Sequence, residues 1–195
     1  MKLELRIVDF LARNLERIFT INEIAKALIQ YYSFVNRVIG RLANEGIIKI
    51  TKAGKSHLCS LDLNSEKTFA LLSLAEIEKK EHLLKENKKL KLILEDFTSM
   101  LKEKNSVITI VLFGSYAKNL ATDKSDIDVF LIVKKKFPLE PITKEIYAKY
   151  GVEINALALT EKEFKAQKGK EIIREIIKNH YVLYGTEDFV KEAFK

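Results

Sequence analysis

The 195-residue chain reads as an α+β protein in three successive parts. Three observations predict this. Residues 1–63 combine helical apolar spacing with two short β-rich stretches. Residues 64–104 contain no Gly or Pro and are dominated by Leu, Glu and Lys. Residues 105–195 interleave continuous apolar runs with helical segments.

In the first part, Leu3, Ile7, Phe10 and Leu11 recur at helical spacing. Thr20 with Glu23 three residues on forms a capping-box pattern that opens a short helix through Leu28. Ser33 is the candidate cap of a third helix, whose apolar positions Phe34, Val35, Val38, Ile39 and Leu42 share one face. Glu45-Gly46 ends it, because glycine accepts the left-handed conformation. Ile47–Thr51 then reads as a strand, Lys52–Lys55 as a turn, and Ser56–Leu63 as the returning strand.

Three small helices followed by a hairpin resemble the winged helix-turn-helix family. The resemblance rests on the short second helix, the tight link Gln30–Tyr32 and "RLANEGIIKI" leading into the wing. It implies that Ser33–Glu45 is a recognition helix presenting Asn36, Arg37 and Arg41 to DNA or RNA, with Lys52 and Lys55 of the wing on phosphates. Such a module also serves in other proteins as a protein-interaction or dimerisation unit.

The middle part is predicted to be a helical linker. Leu90, Ile93, Leu94, Phe97 and Leu101 form an amphipathic stripe. Residues 79–91 are almost solidly charged around Leu83-Leu84, so the segment reads as one long helix or as two with a break near residues 79–82. A dimerising coiled coil is the alternative, but the apolar positions do not hold a heptad for three repeats.

In the last part, Val107–Phe113 is an apolar, largely β-branched run that suits a buried strand. A short helix or turn over residues 117–121 follows, then a strand over Asp126–Val133, a loop over 134–141, and a helix over 143–150. Val152–Leu159 is a third strand. Thr160 with Glu163 opens another helix, 172–178 is helical, and Tyr181–Tyr184 is a short edge strand ended by Gly185.

Composition bounds the function. The net charge is +7, and ten Lys/Arg against six Asp/Glu fall within residues 1–62, so the excess is concentrated at the N-terminal end. A basic surface suits a polyanion such as nucleic acid; lysine-rich surfaces also arise as an adaptation to heat. No apolar run approaches the roughly 18 residues that span a bilayer, and the first residues mix charges into their apolar positions, unlike a signal peptide. The single cysteine, Cys59, excludes an intrachain disulfide. Together these predict a cytoplasmic protein with no membrane partner.

The chemistry is concentrated in "VLFGSYAKNLATDKSDIDVFLIV". A buried strand ends at Phe113. Gly114 lets a ligand approach the backbone, and Ser115 offers a hydroxyl and an N–H at the start of a helical turn, a natural phosphate cradle. Asp126 and Asp128, about 6.6 Å apart on one face of a strand, repel each other and call for a cation. An isolated Asp-x-Asp reads as two solvated acids. Here it follows the Gly-Ser turn and an apolar strand, which points to nucleotide and metal.

This segment resembles the nucleotidyltransferase superfamily that includes DNA polymerase beta, and especially the minimal nucleotidyltransferases of archaea and bacteria. The resemblance covers roughly residues 105–185. It implies a small mixed sheet with helices mainly on one side, and triphosphate binding by Gly114 and Ser115. It further implies Mg2+ ligation by the catalytic acids Asp126 and Asp128, with a third acid, Glu153, completing the metal site. The family most often has Asp in that last position, and Asn155 is a lesser candidate. Lys118 stands where a basic residue often follows the turn, as a phosphate contact or a solvated lysine. Tyr116 reads as packing, Ser125 as a turn or cap residue. His57, His82 and His180 lack metal-ligand spacing. The implied reaction moves a nucleoside monophosphate from a nucleoside triphosphate, ATP foremost, to a hydroxyl. The alternative is a DNA-binding regulator or antitoxin-like protein, paired with a helical toxin, that binds nucleotide without turnover.

Overall fold

The computed structural model describes residues 1–54, 56–122 and 125–194. The chain divides into two compact units, residues 1–78 with the last two residues, and residues 79–193. Both contain helices and sheet, and the class is α+β.

The first unit runs α1 (Leu3–Ala12), β1 (Phe19–Thr20), α2 (Ile21–Ala27), α3 (Tyr32–Asn44), β2 (Ile48–Ala53), β3 (Ser56–Leu61) and the first residues of α4 (Glu66–Glu86). Thr20 caps α2 through the full capping box: its hydroxyl accepts the Glu23 N–H, and the Glu23 carboxylate accepts the Thr20 N–H. The third helix begins one residue before the expected Ser33, with Tyr31 as N-cap and no side-chain bond from it. The tight backbone turn that ends α2, where Gln30 N–H reaches the Ala25 carbonyl, sets that starting point. Val35, Ile39 and Leu42 turn α3 inward. The hairpin strands are longer at the tip than expected: Lys52 and Ala53 belong to β2, and Ala53 pairs with Ser56. β3 is the central strand of three, between β1 and β2. Cys59, fully buried in that strand, lies opposite Phe19 on one side and Ile50 on the other.

The second unit contains the remainder of α4, then α5 (Lys88–Lys102), β4 (Val107–Phe113), α6 (Gly114–Ala117), β5 (Ile127–Val133), α7 (Glu140–Tyr150), β6 (Ile154–Thr160), α8 (Glu161–Gln167), α9 (Glu171–Lys178), β7 (Tyr181–Tyr184) and α10 (Thr186–Phe194). The helical break falls at Asn87, not at residues 79–82. Charged side chains are good helix formers and do not interrupt the ladder. The Asn87 amide instead bonds back to the Leu83 carbonyl, while its backbone leaves the helical region. The stripe Leu90, Ile93, Leu94, Phe97 and Leu101 is buried as expected.

The sheet order is β6-β5-β4-β7, with β5 parallel to β6 and antiparallel to β4, so the sheet is mixed. Ile127, Val129, Leu131 and Val133 of β5 join Phe97 and Leu101 of α5 and Ile142 and Ile146 of α7 in one core. Phe130 points to the other face and meets Phe164 of α8, ring centroids 5.7 Å apart. Helices therefore cover both faces, which corrects the one-sided expectation. A strand buried on both sides needs cover on both, and β5 is buried at every position but Asp128. Among the described residues no helix is long and apolar enough to cross a membrane.

Candidate active site

The antiparallel β4–β5 register places Phe113 opposite Asp128. The strand end that leads into Gly114 therefore meets the start of β5. Gly114 has φ +69, a conformation that a side chain resists. A Cβ built there would lie 2.0 Å from Asp128 Oδ2 and 2.8 Å from its Cγ. The glycine is thus required twice over, by its backbone angle and because the Asp128 carboxylate fills the space where a methyl would stand. After Gly114 the chain makes a single helical turn, in which the Leu120 N–H donates to the Ser115 carbonyl at 2.9 Å. Ser125 is a turn residue. Its hydroxyl accepts the Thr122 N–H at 2.9 Å, and its own N–H returns to the Thr122 carbonyl.

Ile127 is fully buried, so Asp126 and Asp128 on either side of it share the opposite face. Asp126 is exposed and Asp128 half-buried. Neither forms an ion pair with a Lys or Arg among the described residues. In the parallel β5–β6 pairing Asp128 stands beside Asn155, whose amide approaches Asp128 Oδ1 at 3.5 Å. Glu153 lies just ahead of β6, where its carbonyl accepts the Ile127 N–H at 2.9 Å and its side chain is exposed. Among the described residues no three His, Cys, Asp or Glu side chains gather so as to hold a metal. The site thus brings together Gly114, Asp128 and Asn155, with Ser115 and Asp126 adjoining in the chain, and leaves Glu153 outside a three-acid cluster.

Lys118 reaches Glu175 of α9 at 2.7 Å. That bond, then one from the Asn179 amide, holds the Glu175 carboxyl below its usual range. Sequence spacing gives no sign of Glu175, because the pair joins residues brought together only by the sheet and α9. Tyr116 packs against the α5–α7 side of the core.

In the first unit Asn36, Arg37, Arg41 and Lys52 are all exposed, and Lys55 lies outside the described residues. Arg41 is engaged in ion pairs with Glu4 of α1 and with Glu45. The Arg37 guanidinium lies over the Phe34 ring, 5.3 Å from its centroid.

Residues 90–188 match the family model described as "Nucleotidyltransferase domain", just over half of the chain and the whole of the site. Three proteins of Methanocaldococcus jannaschii, each bearing the name "Putative protein adenylyltransferase", are similar to it. One is 28% identical over 117 residues, 54% of this chain and 79% of the relative. A second is 34% identical over 95 residues, 47% of this chain and 94% of the relative. A third is 36% identical over 91 residues, 46% of this chain and 66% of the relative. With the family model matching just over half of the chain, from within α5 to the start of α10, the chain belongs to the nucleotidyltransferase domain family.

Proposed function

We propose that the second unit transfers a nucleoside monophosphate from a nucleoside triphosphate to a hydroxyl, in an Mg2+-dependent reaction. The observation that carries this is the Asp128 carboxylate lying against Gly114, which sets an acid directly beside a Gly-Ser turn. The donor set fits the metal in one particular way. Two neighbouring carboxylates without a basic partner suit Mg2+ that arrives on substrate phosphates, since Mg2+ is ordinarily held by one or two carboxylates plus the phosphates themselves. Asp126 and Asp128 would hold it, and when bound it would neutralise charge on the phosphates and polarise the reacting oxygen.

The chain's own residues supply the rest. The turn at Gly114 and Ser115 orients the triphosphate tail, with no side chain at residue 114 to obstruct it. Asn155 steadies Asp128 from the neighbouring strand. The acceptor oxygen then bonds to the α-phosphorus as the bond to pyrophosphate breaks. The names of the M. jannaschii relatives favour adenylyl as the group transferred, and so ATP as donor, with a protein as acceptor. The test is incubation with α-labelled ATP, Mg2+ and candidate acceptors. Label transfer by the wild type, abolished by Asp126→Asn with Asp128→Asn, is expected.

A second reading has its own observation. The Glu153 side chain is exposed ahead of β6, which supports the alternative of a domain that binds nucleotide without turnover, as in a regulator or an antitoxin paired with a toxin protein. Calorimetric binding of Mg-ATP without label transfer to any acceptor supports that reading.

The first unit we read as a winged helix that binds nucleic acid. Its helix-helix-helix-hairpin order and its exposed Asn36, Arg37 and Lys52 support this, and Lys55 joins them on its place in the sequence alone. Arg41 contributes less, because Glu4 and Glu45 already neutralise it. A gel shift at low salt tests the reading, and no shift with any nucleic acid would reject it.

A further inference from the structure

The turn between α2 and α3 exposes apolar surface that a core-forming sequence would bury. Ile29 is 88% exposed, Tyr31 77%, Tyr32 51% and Phe34 47%. Ile29 also has φ +52, the left-handed region that a β-branched residue rarely enters. Such strain persists where the surrounding structure enforces it, and it is concentrated at binding sites. Here the enforcement is visible: the Ile29 N–H bonds to the Lys26 carbonyl and the Gln30 N–H to the Ala25 carbonyl, which turns the Ile29 side chain outward. Tyr31 and Phe34 meet edge to face, ring centroids 6.2 Å apart. Arg37 lies over Phe34.

Charge selects the occupant. From Ile24 to Asn44, a run of 21 residues, the chain has no Asp or Glu. The bracketing acids are occupied, Glu23 by Arg17 and by the Thr20 cap, Glu45 by Arg41. Lys26 and Arg37 make no ion pair among the described residues. Aromatic rings interleaved with unpaired cations, and free of carboxylates, match the face and backbone of nucleic acid rather than a mixed-charge protein surface. Duplex readout instead asks for polar side chains along the exposed face of the helix, and α3 has one of its two arginines tied to Glu4.

We propose that the α2–α3 turn binds single-stranded nucleic acid, with bases stacked on Tyr31, Tyr32 and Phe34 and the strand's phosphates met by Lys26 and Arg37. This rests on the reading of the first unit as a nucleic-acid binder and specifies its ligand. Each lost stacking ring weakens single-strand binding roughly fivefold to a hundredfold. Two phosphate contacts give a slope of about −1.4 for log affinity against log salt on a single strand.

The experiment uses the full chain and fluorescein-labelled 20-mers, dT and rU single strands against a duplex of the same length, read by anisotropy at low salt. The protein has no tryptophan and seven tyrosines, so quenching of tyrosine emission reports stacking directly. Expected are tighter binding of single strand than of duplex, quenching on binding, loss of both in Tyr31→Ala with Tyr32→Ala, and retention of the affinity, without the quenching, in Tyr31→Phe with Tyr32→Phe. The tighter of the dT and rU arms identifies the sugar. Circular dichroism checks that these exposed substitutions leave the fold intact. Duplex binding as tight as single strand, or unchanged affinity in the alanine variant, overturns the stacking proposal and leaves the nucleic-acid reading standing. No binding of any strand overturns both and marks the patch as a protein-docking face.

Discussion

Replacing Gly114 by alanine tests the core of the site, and the other glycines supply the control. Gly114 and Gly151 have nearly the same backbone angle, φ +69 and +66. An alanine at either pays about 1–2 kcal/mol for the left-handed conformation. At Gly151 a Cβ meets nothing within 4 Å, so the cost ends there. At Gly114 it meets Asp128 Oδ2 at 2.0 Å, Cγ at 2.8 Å and Cβ at 3.0 Å. Asp128 must leave its rotamer, at about 0.5–1.5 kcal/mol, and rotation alone cannot relieve the Cβ contact. Gly114→Ala should therefore cost about 2–3 kcal/mol in urea unfolding and Gly151→Ala about 1–2. The displaced carboxylate should also weaken Mg-ATP binding about tenfold or more, by the loss of one charge-assisted contact. Calorimetry on the two variants reads this directly. Equal destabilisation of both, with unchanged nucleotide affinity in Gly114→Ala, would refute the claim that Asp128 and the turn form one site.

Further outcomes follow from other contacts. Asp126→Asn with Asp128→Asn should abolish Mg-dependent nucleotide binding by calorimetry, and unchanged binding would rule out these acids as ligands. Arg37→Ala should weaken nucleic-acid binding in a gel shift, whereas Arg41→Ala should change it little, because Arg41 is already paired with Glu4. The Glu163 carboxyl is held down from 4.5 to about 2, chiefly by the Lys136 hydrogen bond and then by the Thr160 cap. A depressed folded value contributes stability above the unfolded pKa that is lost as pH falls through the folded one. Melting temperature should thus decline between about pH 4.5 and 2, and Lys136→Met should flatten that decline.

Local patterns proved readable where short-range physics decides. β4 runs Val107–Phe113 as its largely apolar, β-branched run implies, and the boxes at Thr20 and Thr160 cap their helices because three-residue spacing alone sets that geometry. The Asn87 break was hidden by the charges around it, since charge density catches the eye and one side-chain amide does not. The start of α3 at Tyr32 depends on how α2 closes, which no cap residue signals. α10 lies beyond the elements that the apolar spacing marks; only three of its positions, Phe189, Val190 and Ala193, are strongly apolar and buried before its last residue. In the site, the Gly-Ser turn and both aspartates stand out in sequence because each is local. The Asp128–Asn155 and Lys118–Glu175 contacts depend on strand pairing and helix docking, and so only the fold reveals them.

Cys59 has a practical consequence. It is fully buried on the central strand of the first unit, and burial pushes its thiol up to about 11. The thiolate is the reactive form, so the native protein should resist alkylation at neutral pH. It is also the only cysteine in the chain. Its labelling rate is therefore a built-in clock for opening of the β1-β3-β2 sheet, silent to events confined to the second unit. Timed in the presence and absence of a single strand or of Mg-ATP, that clock would register whether a ligand bound by one half of the chain changes the opening of the other.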